Sequence, residues 1–309
     1  MDVSVIIVSY NTYKLTIDCL KSVFEKTNGL DYEVIVIDNA STDRSVEMIQ
    51  QMYPQVHLIA ERTNHGFGKA NNIAASIAKG KYIFLLNSDT LLVNNAIKIL
   101  FDYIKSDSNI GIVGGQMLDR NLNKANSCDA YTSWIDEICI ALLPANYIKS
   151  ITIEVSYNHD INGFVYGADM MIDKQYFNQL NGFDQDFFMY DEDKELSFRF
   201  KKMGYKTSLV TDALIIHFGG QSGNINNTSY NNFIDKWSFS ESRYSRFVYL
   251  HKVYGHEFAF LIYLICLLKA KVATFVFTVL RNRRKQTFWK KYSLIYKQQY
   301  NRYLQKFKS

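Results

Sequence analysis

Lys81-Tyr82-Ile83-Phe84-Leu85-Leu86-Asn87-Ser88-Asp89-Thr90 is an apolar, strand-like run that stops abruptly on a carboxylate. A buried strand delivering an aspartate at its C-terminal end puts a hard oxygen ligand on the edge of an α/β sheet, where such sheets bind ligands. A diphosphate held by Mg²⁺ or Mn²⁺ would sit there. Taken alone, Asn-Ser-Asp is better read as turn chemistry, so the neighbouring segments decide.

Working outward, Val3-Ser4-Val5-Ile6-Ile7-Val8-Ser9-Tyr10-Asn11 is a buried strand, followed over 12–26 by Leu15, Cys19, Leu20, Val23 and Phe24 at helical spacing. A second strand from Tyr32 ends at Asp38, and Ser41-Thr42-Asp43 caps a helix carrying Val46, Ile49 and Met52. Val56 to Ala60 is a third strand, and Asn64-His65-Gly66-Phe67-Gly68 leads into a helix over 69–78. Near-continuous apolar strands alternating with helices predict an α/β fold, its mostly parallel nucleotide-binding sheet covered by helices on both faces.

Downstream, the pattern predicts a helix over 95–105 and a short strand over 110–114. Residues 116–162 are weakly patterned and read as loops, strands and a small helix shaping an acceptor pocket. Beyond them lie a strand over 164–172, a short helix over 174–180, the turn Gly182-Phe183-Asp184, a helix over 192–203 and a closing strand over 208–217. The expected division is a catalytic domain at 1–222 and a helical C-terminal extension at 223–309.

With 309 residues and a formal net charge of +5, the chain has the composition of a globular protein rather than a disordered one. Cys19, Cys128, Cys139 and Cys266 lack metal-ligand spacing, which favours a reduced, cytoplasmic setting. No basic n-region precedes the first apolar run, so no secretory signal is expected. The tail is basic and aromatic. Its apolar stretch from Phe258 to Leu280 contains Lys269 and Lys271 and runs into Arg281-Asn282-Arg283-Arg284-Lys285. Two charges near the middle disfavour a spanning helix. That leaves a helix lying in the membrane interface, or amphipathic helices packing on the catalytic domain or a second subunit; both readings stay open.

In a parallel sheet the four strand ends share one edge, which gathers Ser9, Tyr10 and Asn11, then Asp38 and Asn39, then Asn64, then Asn87 and Asp89. Each is a common turn residue; together they resemble a base-and-ribose pocket beside a metal-diphosphate site. Asp38 suits a pyrimidine N3–H, which a carboxylate accepts. Asn64-x-Gly-Phe-Gly, followed by Ala70-Asn71-Asn72, places glycines at a helix N-terminus, a setting that favours an anion. Gly-x-Gly-x-x-Gly is missing, which disfavours a dinucleotide fold, and the P-loop pattern is absent. A second cluster, Phe187-Phe188-Met189-Tyr190-Asp191-Glu192-Asp193, places acids after an aromatic run. Acids there serve as helix capping or, with an elevated pKa, as a general base. Glu195 and Arg199, one turn apart, pair, which leaves Asp193 or Glu192 facing the cleft. His217 ends the last strand ahead of Gly219-Gly220-Gln221-Ser222, where it is either structural or a partner of Asp89 around a divalent cation.

Assembled in order, Val8-Ser9-Tyr10-Asn11, Asp38-Asn39-Ala40-Ser41-Thr42-Asp43, Asn64-His65-Gly66-Phe67-Gly68-Lys69-Ala70-Asn71-Asn72, Leu86-Asn87-Ser88-Asp89, Gly182-Phe183-Asp184, Glu192-Asp193 and His217 resemble the family 2 inverting glycosyltransferases. The pattern is close to bacterial rhamnosyltransferase-like enzymes that build surface polysaccharides, and it covers about residues 1–222. The resemblance implies a GT-A fold, a divalent metal (Mg²⁺ or Mn²⁺) and a UDP- or dTDP-sugar donor, rhamnose being one option. It also implies a glycan or lipid-diphosphate-linked acceptor, and no nucleic acid. Asp38 would hold the base, Asp89 the metal with His217, and Asp193, beside Glu192, would be the catalytic base. Ser9, Tyr10, Asn11, Asn39, Asn64, Gly68, Asn71, Asn87 and Ser88 would line the donor site. Two departures stand out: Asn87 occupies the first acid position of the Asp-x-Asp-like motif, and Glu195 stands where an Asp is usual. The competing readings are a sugar-nucleotide nucleotidyltransferase, which should carry a glycine-rich basic loop where Ser9-Tyr10-Asn11-Thr12-Tyr13 stands, and a non-catalytic membrane-associated scaffold. The expected location is the inner face of the cell membrane, with peripheral attachment or oligomerisation through the tail.

Overall fold

The structure, a computed structural model, describes residues 1–143, 159–219 and 236–307. These residues fall into two compact units. One is formed by 1–131, 159–188 and 192–219, and the other by 132–143, 189–191 and 236–307. The boundary expected at residue 222, and Gly220, Gln221 and Ser222 of the expected turn, lie outside the described residues.

The first unit is built on a nine-stranded sheet. Strands β1 (Val3–Ser9), β2 (Tyr32–Asp38), β3 (His57–Ala60) and β4 (Tyr82–Asn87) run parallel in the order β3-β2-β1-β4, so their C-terminal ends share one edge. Helices α1 (Tyr13–Lys26), α2 (Ser45–Met52) and α3 (Phe67–Ile77) connect them. The apolar runs are continuous because both faces are covered: Val5, Ile7, Phe84 and Leu86 join one core with Leu20 and Val23 of α1, while Ile6, Ile37, Ile83 and Leu85 join another with Ala70 and Ala74 of α3.

The sheet continues differently from the expectation. The segment anticipated as one strand over 164–172 is two, β9 (Gly163–Val165) and β10 (Asp169–Asp173), separated by Tyr166-Gly167-Ala168. β10 lies antiparallel between β4 and β6 (Ile110–Leu118), the latter longer than expected. β11 (Lys206–His217) pairs parallel with β6 and antiparallel with both β5 (Thr90–Leu92) and β8 (His159–Ile161). β7 (Cys128–Ala130) and β9 form a separate two-stranded ribbon. Helix α4 (Ala96–Ser106) covers one face, while α6 (Lys174–Gln179) and α7 (Glu192–Lys202) complete the unit. The half of the sheet carrying the first four strands is thus parallel, and the other half is mixed.

The second unit comprises α5 (Trp134–Leu142), α8 (Trp237–Tyr254), α9 (His256–Val279) and α10 (Arg283–Phe307). Its interior is aromatic: Phe247 sets its ring against Tyr263, Tyr296, Tyr300 and Tyr303. Arg246 pairs with the fully buried Glu137, and Lys269 donates to the carbonyls of Ala141 and Leu143 at the C-terminal end of α5, at 3.1 and 2.7 Å. Lys269 therefore has a job as a helix C-cap. α9 is long and apolar enough to cross a membrane by length and composition, with a mean hydropathy of 2.1 over its most apolar window. Leu261, Leu264, Leu268, Val272, Phe275 and Val279 along it are exposed.

Candidate active site

The edge formed by the ends of β1 to β4 collects the expected donor-site residues. Asn11 adopts a left-handed backbone, φ +54°, which asparagine tolerates better than most residues. Its side-chain oxygen accepts from the Thr42 N–H and its own N–H donates to Ser41 Oγ, each at 2.8 Å, so the loops after β1 and β2 are tied together. Asp43 accepts from the N–H and Oγ of Ser45 and from the Tyr13 N–H. Burial pulls the Asp43 pKa up, but these bonds outweigh it and leave the carboxyl below its ordinary value. Arg44 stands at the N-cap of α2 without a side-chain bond, and of the expected Ser41-Thr42-Asp43 run it is Asp43, just before it, that holds the Ser45 N–H at 3.0 Å. Tyr10 is exposed beside this junction.

Asp38 is buried at the end of β2. Its Oδ1 accepts from the Ser41 N–H at 2.9 Å, while Oδ2 is buried and accepts from no described residue. Burial pushes this carboxyl above its ordinary pKa, the Ser41 bond opposing the shift. A buried carboxylate oxygen without a donor is costly. Asn39 holds the next loop: its amide donates to Asn64 Oδ1 (2.9 Å) and the Gly66 carbonyl (3.0 Å), and its oxygen accepts from the His65 N–H (2.8 Å).

The glycines of the 64–68 loop have a packing explanation. Gly66 has φ +76°, and an added Cβ would lie 2.1 Å from the Phe188 carbonyl oxygen; at Gly68 it would lie 2.8 Å from Phe183 Cβ. The Phe67 N–H donates to the Phe188 carbonyl at 2.9 Å. The helix start therefore grips the 183–188 segment, an arrangement not expected from an anion-binding loop. Asn71 is buried and bonds back to the Phe67 carbonyl of its own helix. Its neighbour Asn72, given no role from the sequence, clamps both the N–H and the carbonyl of Phe183, at 2.8 and 2.7 Å.

At the end of β4, Ser88 and Asp89 are 7% and 6% exposed. Beneath them lies a hydroxyl lattice: Ser88 Oγ meets Thr12 Oγ1 at 3.0 Å, Thr12 meets Thr16 at 3.2 Å, and Thr16 meets Ser9 at 3.0 Å. Thr12 and Thr16 escaped the sequence reading, their only signal being a spacing of one helical turn after the first strand. Cys19, below the same turn, is raised to about 12 by burial and is no thiolate nucleophile. β5 and β11 pair so that His217 faces Thr90, which brings His217 Nε2 to 3.3 Å from Asp89 Oδ1 and 3.5 Å from Asn87 Nδ2. Among the described residues no group of three or more His, Cys, Asp or Glu gathers as a metal site. The Asp89 carboxylate is the kind of hard oxygen donor that suits a Mg²⁺ or Mn²⁺ taking most of its other ligands from diphosphate and water.

The second acid cluster opens α7. Tyr190 and Asp191 are consecutive left-handed residues, φ +74° and +62°, immediately before Glu192. Glu192 is 5% exposed, whereas Asp193 is half-buried. Asp193 accepts from the Gly167 N–H at 3.0 Å and the Lys194 N–H at 2.8 Å. Glu195 is bound by Arg199, whose other donors reach the carbonyls of Leu180 and Gly182 at 2.8 Å. That pairing was expected, and it makes Glu195 a brace for the 180–183 turn.

The profile described as Glycosyl transferase family 2 matches residues 4–131, and that described as Glycosyl transferase family group 2 matches residues 82–281. Glycosyltransferase GlyG of Streptococcus pneumoniae is 24% identical over 231 residues, 74% of this chain and 74% of that protein. Rhamnosyltransferase WbbL of Escherichia coli is 28% identical over 215 residues, 65% of this chain and 79% of that protein. The crystal structure of GalNAc-T7 with UDP, GalNAc and Mn²⁺ superposes with a TM-score of 0.55 at 18% identity, covering 79% of this chain and 50% of that one. At that identity the likeness speaks for the fold.

Proposed function

The chain belongs to the family 2 glycosyltransferases and has the GT-A fold and glycosyl-transfer activity that go with it, and on that premise we propose how its own residues perform the transfer. The observation that carries the reading is the buried, unsatisfied Asp38 Oδ2 at the shared edge of four parallel strands. A pyrimidine N3–H supplies the missing donor, so the donor is a UDP- or dTDP-sugar. Likeness to WbbL, a rhamnosyltransferase by name, supports rhamnose as the sugar.

Asp193 takes the proton from an acceptor hydroxyl. That oxygen attacks the anomeric carbon as the bond to the diphosphate breaks, and the single displacement inverts the configuration. Asp193 is oriented for this by two backbone N–H groups, that of Gly167 on Oδ2 and that of Lys194 on Oδ1. Asp89 and His217 are the residues that would hold the divalent metal, with Asn87 against His217. When bound, that ion supplies charge stabilisation to the departing diphosphate. Tyr10, Asn11 and Asn39 shape the base pocket, and Ser9 and Ser88 support the turn beneath the diphosphate.

The exposed apolar face of α9, with Arg281, Arg283, Arg284 and Lys285 next to it in the chain, supports peripheral attachment to an anionic membrane surface and a lipid-diphosphate-linked acceptor. The deciding experiment is Asp193→Asn: release of nucleoside diphosphate stops, while UDP affinity measured by titration calorimetry is retained. Wild-type turnover in that variant would remove Asp193 as the base.

A further inference from the structure

Asp193 does not reach its position through its own helix alone. Its Oδ2 is held by the N–H of Gly167, in the break between β9 and β10. A side chain at Gly167 would be crowded: a Cβ there would meet the Phe67 ring at 3.0 Å and would lie 3.6 Å from Asp193 Cβ. The backbone at 167 therefore lies close to both Phe67 and Asp193, and a shift of its N–H shifts the bond to Asp193.

The residue before it, Tyr166, is fixed at both ends. Its N–H donates to the Ser127 carbonyl at 3.1 Å, and its phenol donates to Asp129 Oδ2 at 2.8 Å. In the β7–β9 ribbon Asp129 lies opposite Phe164, and Tyr166, two residues further along, is the diagonal neighbour on the same face. Burial, and then the bond to Asp129, raise the phenol pKa, so it stays a donor at neutral pH.

We propose that Asp129 and Tyr166 form a positioning pair for the reaction: the phenol–carboxylate bond pins the 166–168 turn, and the turn aims Asp193 through the Gly167 N–H. The pair acts through geometry, so what position 129 must supply is an acceptor oxygen, with or without a charge. The inference rests on the reading of Asp193 as the base, yet part of it is testable separately.

The test compares Tyr166→Phe, Asp129→Leu and Asp129→Asn in the full chain, using whichever of UDP-glucose, UDP-N-acetylglucosamine and dTDP-rhamnose is turned over. Tyr166→Phe and Asp129→Leu lower kcat by roughly 10- to 100-fold, the scale of a small misplacement of a reacting group, and leave the donor KM unchanged. Asp129→Asn, whose amide oxygen still accepts the phenol, keeps near-wild-type kcat. Hydrogen exchange of the 166–168 segment, which needs no donor, speeds up in the first two variants and not in the third. Wild-type kcat and exchange in Tyr166→Phe would overturn the proposal, as would an equal loss in Asp129→Asn and Asp129→Leu. If Asp193→Asn keeps turnover, the base reading fails by itself, and the exchange pattern still decides whether the pair pins the turn.

Discussion

At the scale of single residues, the site is organised by carboxylates whose surroundings differ. Asp38 presents a buried oxygen lacking a donor, and a hydrogen bond to a charged group contributes about 1.5–3 kcal/mol. Asp38→Ala should therefore weaken UDP binding by roughly 10- to 100-fold in calorimetry while Asp193→Asn leaves it unchanged. Asp169, at the start of β10, is fully buried; among the described residues its one donor is the Gly115 N–H, on Oδ2 at 2.9 Å, and burial holds its pKa well above the ordinary value. The folded protein then binds this proton at pH values where the unfolded chain has released it. Its contribution to stability is complete below the ordinary carboxylate range and declines as pH rises towards the raised value. Asp169→Asn, which keeps an acceptor for Gly115 and no longer titrates, should flatten that decline in a series of thermal melts across pH. Nothing in the sequence marked Asp169, because an Asp inside Gly-Ala-Asp-Met-Met is indistinguishable from a strand-edge residue until the sheet order is known.

At the scale of elements, the strands and helices of the first 90 residues were legible, since apolar runs of strand length alternate with helical spacing and end on polar residues. What followed was less so. β5 is three residues long and exists only through its pairing with β11, and the 166–168 break between β9 and β10 has no local signature beyond Gly167. The glycines of α3 were visible as glycines, but their reason was not: they admit Phe183 and Phe188. Gly68→Ala should accordingly destabilise the protein by about 1–3 kcal/mol in urea unfolding, the usual result of overpacking, and Gly66→Ala by more, because it adds backbone strain. For α9, replacing Arg281, Arg283, Arg284 and Lys285 by Gln should abolish co-sedimentation with vesicles containing phosphatidylglycerol at low salt. Undiminished binding would assign the apolar face to another partner.

For the molecule as a whole, the family was legible as an ordered series of motifs, while the supports of those motifs, Thr12, Thr16, Asn72 and the Asp129–Tyr166 pair, became visible only in three dimensions. The second unit is not simply a tail. Residues 132–143 and 189–191 belong to it along with 236–307, and Glu137, fully buried, depends on Arg246 for its counter-charge. A chain ending at residue 222 should therefore lose both the Arg246 partner of Glu137 and the helices packed on α5. It should expose apolar residues of α5 as well, and give aggregated protein without a cooperative melt. A soluble, cooperatively melting product of that length would show that residues 132–143 do not need their helical partners.

The strand order has a consequence for how the chain is made. β4 has β1 on one side, but its other neighbour is β10, more than eighty residues further along. On a ribosome adding about 5–20 residues per second, the strand that ends at Asn87 waits roughly 4–16 s with an unpaired, strongly apolar edge, the kind of edge that recruits other chains. The nascent protein is most exposed to misassociation in that interval, which ends when β10 pairs along β4. Asp193 and His217 are added later still, so during synthesis this edge is protected before the proposed base and metal ligand exist.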